Sequence, residues 1–384
     1  MQEMSVSAGI HGGMNYKIQF IAEKRSIKKK MKILNPQSRS VLKDKNDNKT
    51  PILSTCTLPL KEKCHNVRIE ISAIPSIYIM IGLPGSGKSV YAKSIYNQYP
   101  SDAIAIHSSD DLREELYGDV NNQKNNTDLF VELHRRIKTD LKNGKSVIYD
   151  ATNISKKRRI AFLQELKNIP CVKIAICMMT PFEKCLELNL IRKRVVSENV
   201  IKKMYMNWCP PYYHEGFDYI FCEYYNDCIV SPEYEVGSLF MKINNFNQEN
   251  EHHGFALGIH CSRTYEYLLE KGAEKTIRIA GLLHDIGKVF TKTYLNTRGE
   301  YDGNCHYYNH ANVGAYDSMF FTSTSNYDFT DKEKLYISNL IYYHMHPYLS
   351  WEQSAKAKKR DMNIIGEKMF NDVMLLHQAD LFAH

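Results

Sequence analysis

The sequence predicts an α/β domain built on a parallel sheet, followed by an all-α domain. Three observations carry this. Short apolar strand runs alternate with helical periodicity from residue 76 to about 205. A glycine-rich loop follows the first of those runs directly. After about residue 236 clear strand runs stop, and apolar residues recur at helical spacing.

Residues 1–66 mix Lys, Asn, Asp, Ser and Pro with short apolar clusters and read as a basic, flexible extension. The strand runs are 76–81, 103–106, 146–149 and 172–178. Helical segments at 90–99, 111–116, 128–141, 156–167 and 182–194 separate them, and 200–205 opens another. In the second half 265–269, 276–283, 333–343 and 368–381 carry helical spacing, while 239–243 reads as strand or helix. The polar, irregular stretch 233–250 is the natural cut, giving domains at 67–236 and 237–384.

The formal charge is +7, and its distribution is uneven. Lys17, Lys24, Arg25, Lys28, Lys29, Lys30, Lys32 and Arg39 crowd the first forty residues. That suits a polyanionic partner such as nucleic acid; a solvated leader reads the same residues equally well. Ten cysteines lack C-x-x-C pairs, and no apolar run approaches the length of a membrane span. Reduced thiols in a cytoplasmic protein, with no membrane anchor, are expected.

Gly82-Leu83-Pro84-Gly85-Ser86-Gly87-Lys88-Ser89 matches G-x-x-x-x-G-K-[ST] between a strand and a helix. Its backbone amides suit the phosphates of ATP or another nucleoside triphosphate, with Lys88 on the β and γ phosphates and Ser89 on Mg²⁺. Asp110 and Arg113 stand just past the second strand run, where a carboxylate can take a hydroxyl proton and an arginine can bind a phosphate. The same residues also read as a helix cap with a first-turn ion pair. Asp150-Ala151-Thr152-Asn153 ends the third run and precedes Lys156-Lys157-Arg158-Arg159. Arg192 and Arg194 can close over donor phosphates as a lid.

Residues 76–220 resemble the 5′-hydroxyl polynucleotide kinases of phage and bacterial end-healing systems. The resemblance rests on the phosphate loop, Asp110-Asp111-Leu112-Arg113, Asp150-Ala151-Thr152-Asn153, Arg192, Pro210-Pro211 and Glu215-Gly216-Phe217-Asp218. It implies an α/β P-loop kinase domain in which Asp110 is general base on the acceptor 5′-OH and Arg113 binds the adjacent phosphate. Asp150 and Thr152 would position the acceptor, and Arg192 would contact the donor. Ala151 departs from members that read D-T-N.

Ten of the fifteen histidines follow residue 251. The order His260, His284-Asp285, His310, His344, Asp380 resembles the ligand series of the HD phosphohydrolases. That implies an all-α HD domain holding one or two divalent ions (Mn, Ni, Co, Fe or Zn) that activate water and polarise a phosphoryl group. The presence of His310 and His344 points to two ions. Lys288 is a candidate substrate-phosphate contact. His252, His306 and His346 are expected outside the ligand set, with His253 behind it. Asp380, four residues before His384, is expected to be less firmly held than in relatives whose helix runs on.

Together the modules resemble bifunctional end-healing enzymes acting on RNA and/or DNA ends, with a separate ligase as a partner. One would phosphorylate 5′-OH ends and the other remove 3′-phosphate or 2′,3′-cyclic phosphate. Known bifunctional relatives often carry the HD module first, and here the order is reversed. A small-molecule kinase fused to a nucleotide phosphohydrolase is the alternative. A nucleotide-gated regulator with a degenerate HD domain ranks last, because no ligand is missing.

Overall fold

Six consecutive buried residues form β1 (Ser76–Ile81), the central strand of a five-stranded sheet. The computed structural model describes residues 74–122, 124–192, 194–225, 236–244, 246–249, 255–324 and 328–384, all within one unit, Leu53–His384. The basic cluster of the first forty residues, the segment Asn250 to His253 and, within the stretch 233–250, residues 233–235 and 245 lie outside the described residues.

The other strands are β2 (Ile104–Ser108), β3 (Ser146–Asp150), β4 (Val172–Met179) and β5 (Tyr219–Tyr224). They lie in the order β2-β3-β1-β4-β5, each pair parallel. The chain builds one side of β1 first and then crosses to the other, so a cleft opens at the carboxyl end of β1. Alternation along β1 sends its side chains to two faces. Tyr78 and Met80 meet Ala92 and Ile95 of α1 (Lys88–Tyr96), while Ile77 and Ile79 join the cluster holding Leu129 and Leu133 of α3 (Asn126–Lys142) and Phe162 of α4 (Lys156–Glu165). Between β2 and α3, α2 (Ser109–Tyr117) starts on Ser108, whose hydroxyl accepts from the amides of Asp110 and Asp111 at 3.3 and 3.2 Å.

After β4, α5 (Phe182–Leu190) stops before Arg194, short of the helix expected from the sequence. Asn189 turns the chain there: its side chain donates to Val196 O at 2.8 Å and accepts from Val196 N at 3.0 Å. Arg192 and Arg194 therefore stand on a loop, before α6 (Glu198–Met206).

The second half is helical, as expected. It comprises α7 (Val236–Asn244), α8 (Leu257–Glu270), α9 (Lys275–Leu283), α10 (Lys288–Thr291), α11 (His310–Thr324), α12 (Asp331–Tyr343), α13 (Ala355–Ile365) and α14 (Glu367–Ala383). The ambiguous 239–243 stretch lies in α7. An unexpected addition is an antiparallel ribbon of β6 (Thr293–Leu295) and β7 (Tyr301–His306). No helix among the described residues is long and apolar enough to cross a membrane.

One apolar core runs from the sheet into the helices without a break. At the junction Tyr316 of α11 meets Trp208 and Tyr205 edge-on, with ring centroids 5.0 and 5.3 Å apart. Trp208 and Tyr316 are fully buried. Large buried rings in such contact are among the stronger apolar anchors a fold can use.

Candidate active sites

The loop 82–87 folds back under Lys88. Gly85 and Gly87 adopt φ of 83° and 87°, and a Cβ on Gly85 would meet Cys185 O at 2.1 Å. Thr180 Oγ1 donates to Ser86 O at 3.1 Å, and Gly82 N donates to Thr152 O at 3.0 Å. The Lys88 ammonium donates to Leu83 O at 2.7 Å. Burial brings it down to about 8, against the pull of Asp150. Burial also lifts the Asp150 carboxyl above its ordinary value, although the Ser89 hydroxyl and Lys88 oppose the shift.

Ser108 and Asp150 are register partners at the ends of β2 and β3, which brings Asp110 to the same rim as Asp150. Three guanidiniums surround the Asp110 carboxylate. Arg113 Nη1 donates to it at 3.0 Å, Arg194 donates to it from the lid loop, and Arg192 Nη2 lies 3.8 Å away. Arg113 also donates to Asn126 Oδ1 at 3.0 Å. A cavity of about 1020 Å³ is lined by Pro84 to Ser89, Asp110, Asp150, Thr152, Arg192 and Arg194, and reaches Tyr91 and Glu223 at its far side. Arg113 is only 4% exposed, lies behind Asp110 and does not line this cavity. Gly82 also stays out of it, behind the loop.

In the helical half, five helices bring the six expected residues together. His260 comes from α8, His284 and Asp285 from the end of α9, His310 from the start of α11, His344 from the end of α12 and Asp380 from α14. The same local device recurs three times. His284, His310 and His344 each bond Nδ1 to the carbonyl three residues earlier, Gly281, Tyr307 and Ile341, at 2.7, 2.8 and 2.6 Å. A carbonyl accepts, so the proton is on Nδ1 and each Nε2 faces the centre with its lone pair.

These three nitrogens and that of His260 meet in pairs. His260 and His284 Nε2 are 3.1 Å apart, and His310 and His344 Nε2 are 3.3 Å apart. Asp285 stands between the pairs. Its Oδ2 lies 3.5 and 3.4 Å from His260 and His284, and its Oδ1 lies 3.3 and 3.6 Å from His310 and His344. Asp380 Oδ1 is 3.0 Å from His260 and 3.4 Å from His284. Facing nitrogen lone pairs repel unless a cation lies between them. Two groups of these donors, His260–His284–Asp285 and Asp285–His310–His344, have the spacing to hold a metal ion. Burial alone would raise the Asp285 carboxyl, but the Lys288 ammonium beside it pulls the other way, and the carboxyl stands well below its ordinary value. Lys288 lies 2.7 Å from Asp285 Oδ2 and donates to Gln248 Oε1 at 2.8 Å.

Sequence reasoning missed Gln248, Tyr348 and His384. Tyr348 donates to Asp380 Oδ2 at 3.0 Å, and His384 Nε2 lies 3.6 Å from Asp380 Oδ1. The signal available was spacing: Tyr348 follows His344 by four residues, and His384 follows Asp380 by four. His306 pairs instead with Asp302 at 2.9 Å, and His346 packs on Tyr343, where burial takes it down to about 4. His252 and His253 lie outside the described residues.

Residues 77–211 match the family model for an AAA domain, and residues 257–380 match the one for an HD domain. No curated protein matches the chain. Among solved structures, a chain of a Pnkp1/Rnl/Hen1 RNA repair complex is 19% identical, over 37% of this chain and 46% of that one, with a TM-score of 0.30. A second structure of a Pnkp1/Rnl/Hen1 complex is 23% identical over 34% and 42%, with a TM-score of 0.27. A gluconokinase from Sinorhizobium meliloti 1021 is 14% identical over 40% and 84%, with a TM-score of 0.28. The chain thus spans less than half the length of the repair-complex chains it matches. It joins a P-loop kinase-like domain of the AAA type to an HD domain.

Proposed function

We propose that the chain is a bifunctional end-healing enzyme of the cytoplasm, acting on broken RNA and handing its product to a separate ligase. Its domains would be a kinase at 67–236 and a phosphohydrolase at 237–384, with residues 1–66 tracking the phosphodiester backbone. The observation that carries the reading is the Asp110 carboxylate, ringed by arginines at the rim of the phosphate-loop cavity.

In the kinase, Asp110 takes the proton of the 5′-OH as its oxygen attacks the γ-phosphorus of ATP or another nucleoside triphosphate. The bond to the β–γ bridging oxygen breaks and the nucleoside diphosphate leaves. Lys88 and the loop amides would hold the donor phosphates, and the Ser89 hydroxyl would hold Mg²⁺, with Asp150 lining the same cavity. Thr152 fixes the loop through Gly82. Arg192 and Arg194 line the cavity and offset charge on the donor and acceptor phosphates. Arg113, sunk behind the carboxylate, serves by holding Asp110 in position.

In the HD domain, His260, His284, Asp285, His310, His344 and Asp380 would hold one or two divalent ions of the Mn, Fe, Co, Ni or Zn group. Such ions, when bound, acidify a water and polarise a phosphoryl group. Asp285 offers one oxygen to each donor pair, and Lys288 fixes its orientation.

One oligonucleotide carrying 5′-OH and 2′,3′-cyclic phosphate ends, given ATP, Mg²⁺ and a metal panel, tests both halves. Labelling of the 5′ end and loss of the 3′ block are expected. Lys88→Ala or Asp110→Ala should end labelling alone, and Asp285→Ala should end phosphate release alone. Phosphorylation of a free nucleoside with no labelling of RNA or DNA would establish the small-molecule alternative instead.

A further inference from the structure

We propose that His384 is a further ligand of the HD centre, giving Nε2 to the ion held by His260 and Asp380. The inference rests on the metal-centre reading above and assigns a donor that the six-residue series does not contain.

Asp380 lies in the last turn of α14 and His384 caps the end of that helix four residues on, where α14 packs against α8. His384 Nε2 is 3.6 Å from Asp380 Oδ1, and its ring centroid is 4.9 Å from that of His260. Ligand atoms of His260, Asp380 and His384 all lie within 4.8 Å of one another, a third donor group overlapping the first of the two described above. Donors bound at about 2.1 Å to one ion stand about 3.0 Å apart when adjacent and about 4.2 Å apart when opposite. The 3.6 Å separation falls within that window, as do the 3.0 to 3.5 Å separations among His260, His284, Asp285 and Asp380.

Burial sets His384 apart. Its side chain is 30% exposed, whereas that of His260 is 2% and that of Asp380 is 7% exposed. It stands at the rim, where a donor can close a centre from the solvent side. Counting it, one side of Asp285 gathers His260, His284, Asp285 Oδ2, Asp380 Oδ1 and His384. The other side has Asp285 Oδ1, His310 and His344. The two positions are therefore unequal: the first is rich in imidazole and nearly filled by protein, and suits Co, Ni, Fe or Zn. The second leaves more of its coordination for water and substrate phosphate.

Cobalt(II) titration of the full chain, read by visible absorption and by equilibrium dialysis, tests this without an activity assay. The parent protein is expected to bind two ions of unequal affinity. His384→Ala and His384→Gln should weaken the tighter site at least about tenfold and change its absorption, and free imidazole should restore the His384→Ala spectrum. His310→Ala should spare that site and weaken the other. Glutamine can still offer a polar contact to Asp380 but is a poor cobalt ligand, so it separates ligation from mere support. Parent-like cobalt affinity and absorption in His384→Gln would overturn the proposal. A parent protein that binds no divalent ion would instead overturn the metal-centre reading, and this inference with it.

Discussion

Arg159 spends every donor it has inside the protein. Nε and Nη2 grip Glu215 at 2.7 Å each, and the remaining protons reach the carbonyls of Asn153, Cys209 and Pro210 at 3.0 to 3.2 Å. The two charged side chains are 1% and 0% exposed. This knot ties the Asp150–Asn153 loop to the segment after α6. Removing one partner strands the other charge away from water. Arg159→Met should therefore cost about 3–5 kcal/mol, measured by urea unfolding, and adding Glu215→Gln should recover part of that. The sequence shows four basic residues in a row and cannot say which face inward. Lys157 and Arg158 are exposed, Lys156 bonds to Tyr343 of α12, and Arg159 meets an acid 56 residues away. The same limit explains Arg113, whose spacing from Asp110 suggests an exposed phosphate contact while burial turns it into a brace. Lys88, Ser89 and Asp110 were legible because their spacing is fixed within one loop or one helix start. His384 was not, because its meaning depends on α8 lying opposite.

At the scale of elements, α10 and α11 meet without room for a methyl group. A Cβ on Gly287 would lie 2.0 Å from His310 O and 2.7 Å from Gly314 N. Both neighbours are backbone and cannot swing aside, so Gly287→Ala must push α11 outward. The expected result is a loss of about 1–3 kcal/mol in thermal unfolding, with weakened metal binding at the His310–His344 side. The packing also explains what the sequence pattern conveyed and what it hid. The central strands were legible because strands buried on both faces read as unbroken apolar runs. β5, at the edge of the sheet with half its residues partly exposed, gave no such run. The ribbon carries Asp302, Gly303, Asn304 and His306, with no apolar alternation to mark it. α11 hid for the opposite reason. Val313, Tyr316, Asp317, Ser318, Met319, Phe320 and Thr322 are all buried, so no exposed face gives the helix a stripe.

Across the whole molecule, α11 links the two candidate centres. It begins with His310, and two turns later Tyr316 Oη donates to Thr180 O at 2.5 Å. Thr180 in turn supports Ser86 of the phosphate loop. Beside it, Tyr205 of α6 donates to the buried Asp317 carboxylate at 2.6 Å. Burial lifts that carboxyl to about 8, with Tyr205 opposing the rise, Glu183 adding to it and Lys242 opposing it. The unfolded chain releases this proton near pH 4. Between there and about 8 the folded state binds more protons, so its stability falls as pH rises and levels off above. Asp317→Asn should remove that slope, matching the parent near pH 4 and exceeding it by on the order of 3 kcal/mol at pH 8 in thermal melts. The unbroken core at this junction also bears on how such a chain can be shortened. A cut between residues 225 and 236 would bare Trp208 and Tyr205 on one piece and Tyr316 on the other. Each fragment would carry an adhesive aromatic scar. The two halves are therefore expected to fold and unfold as one piece.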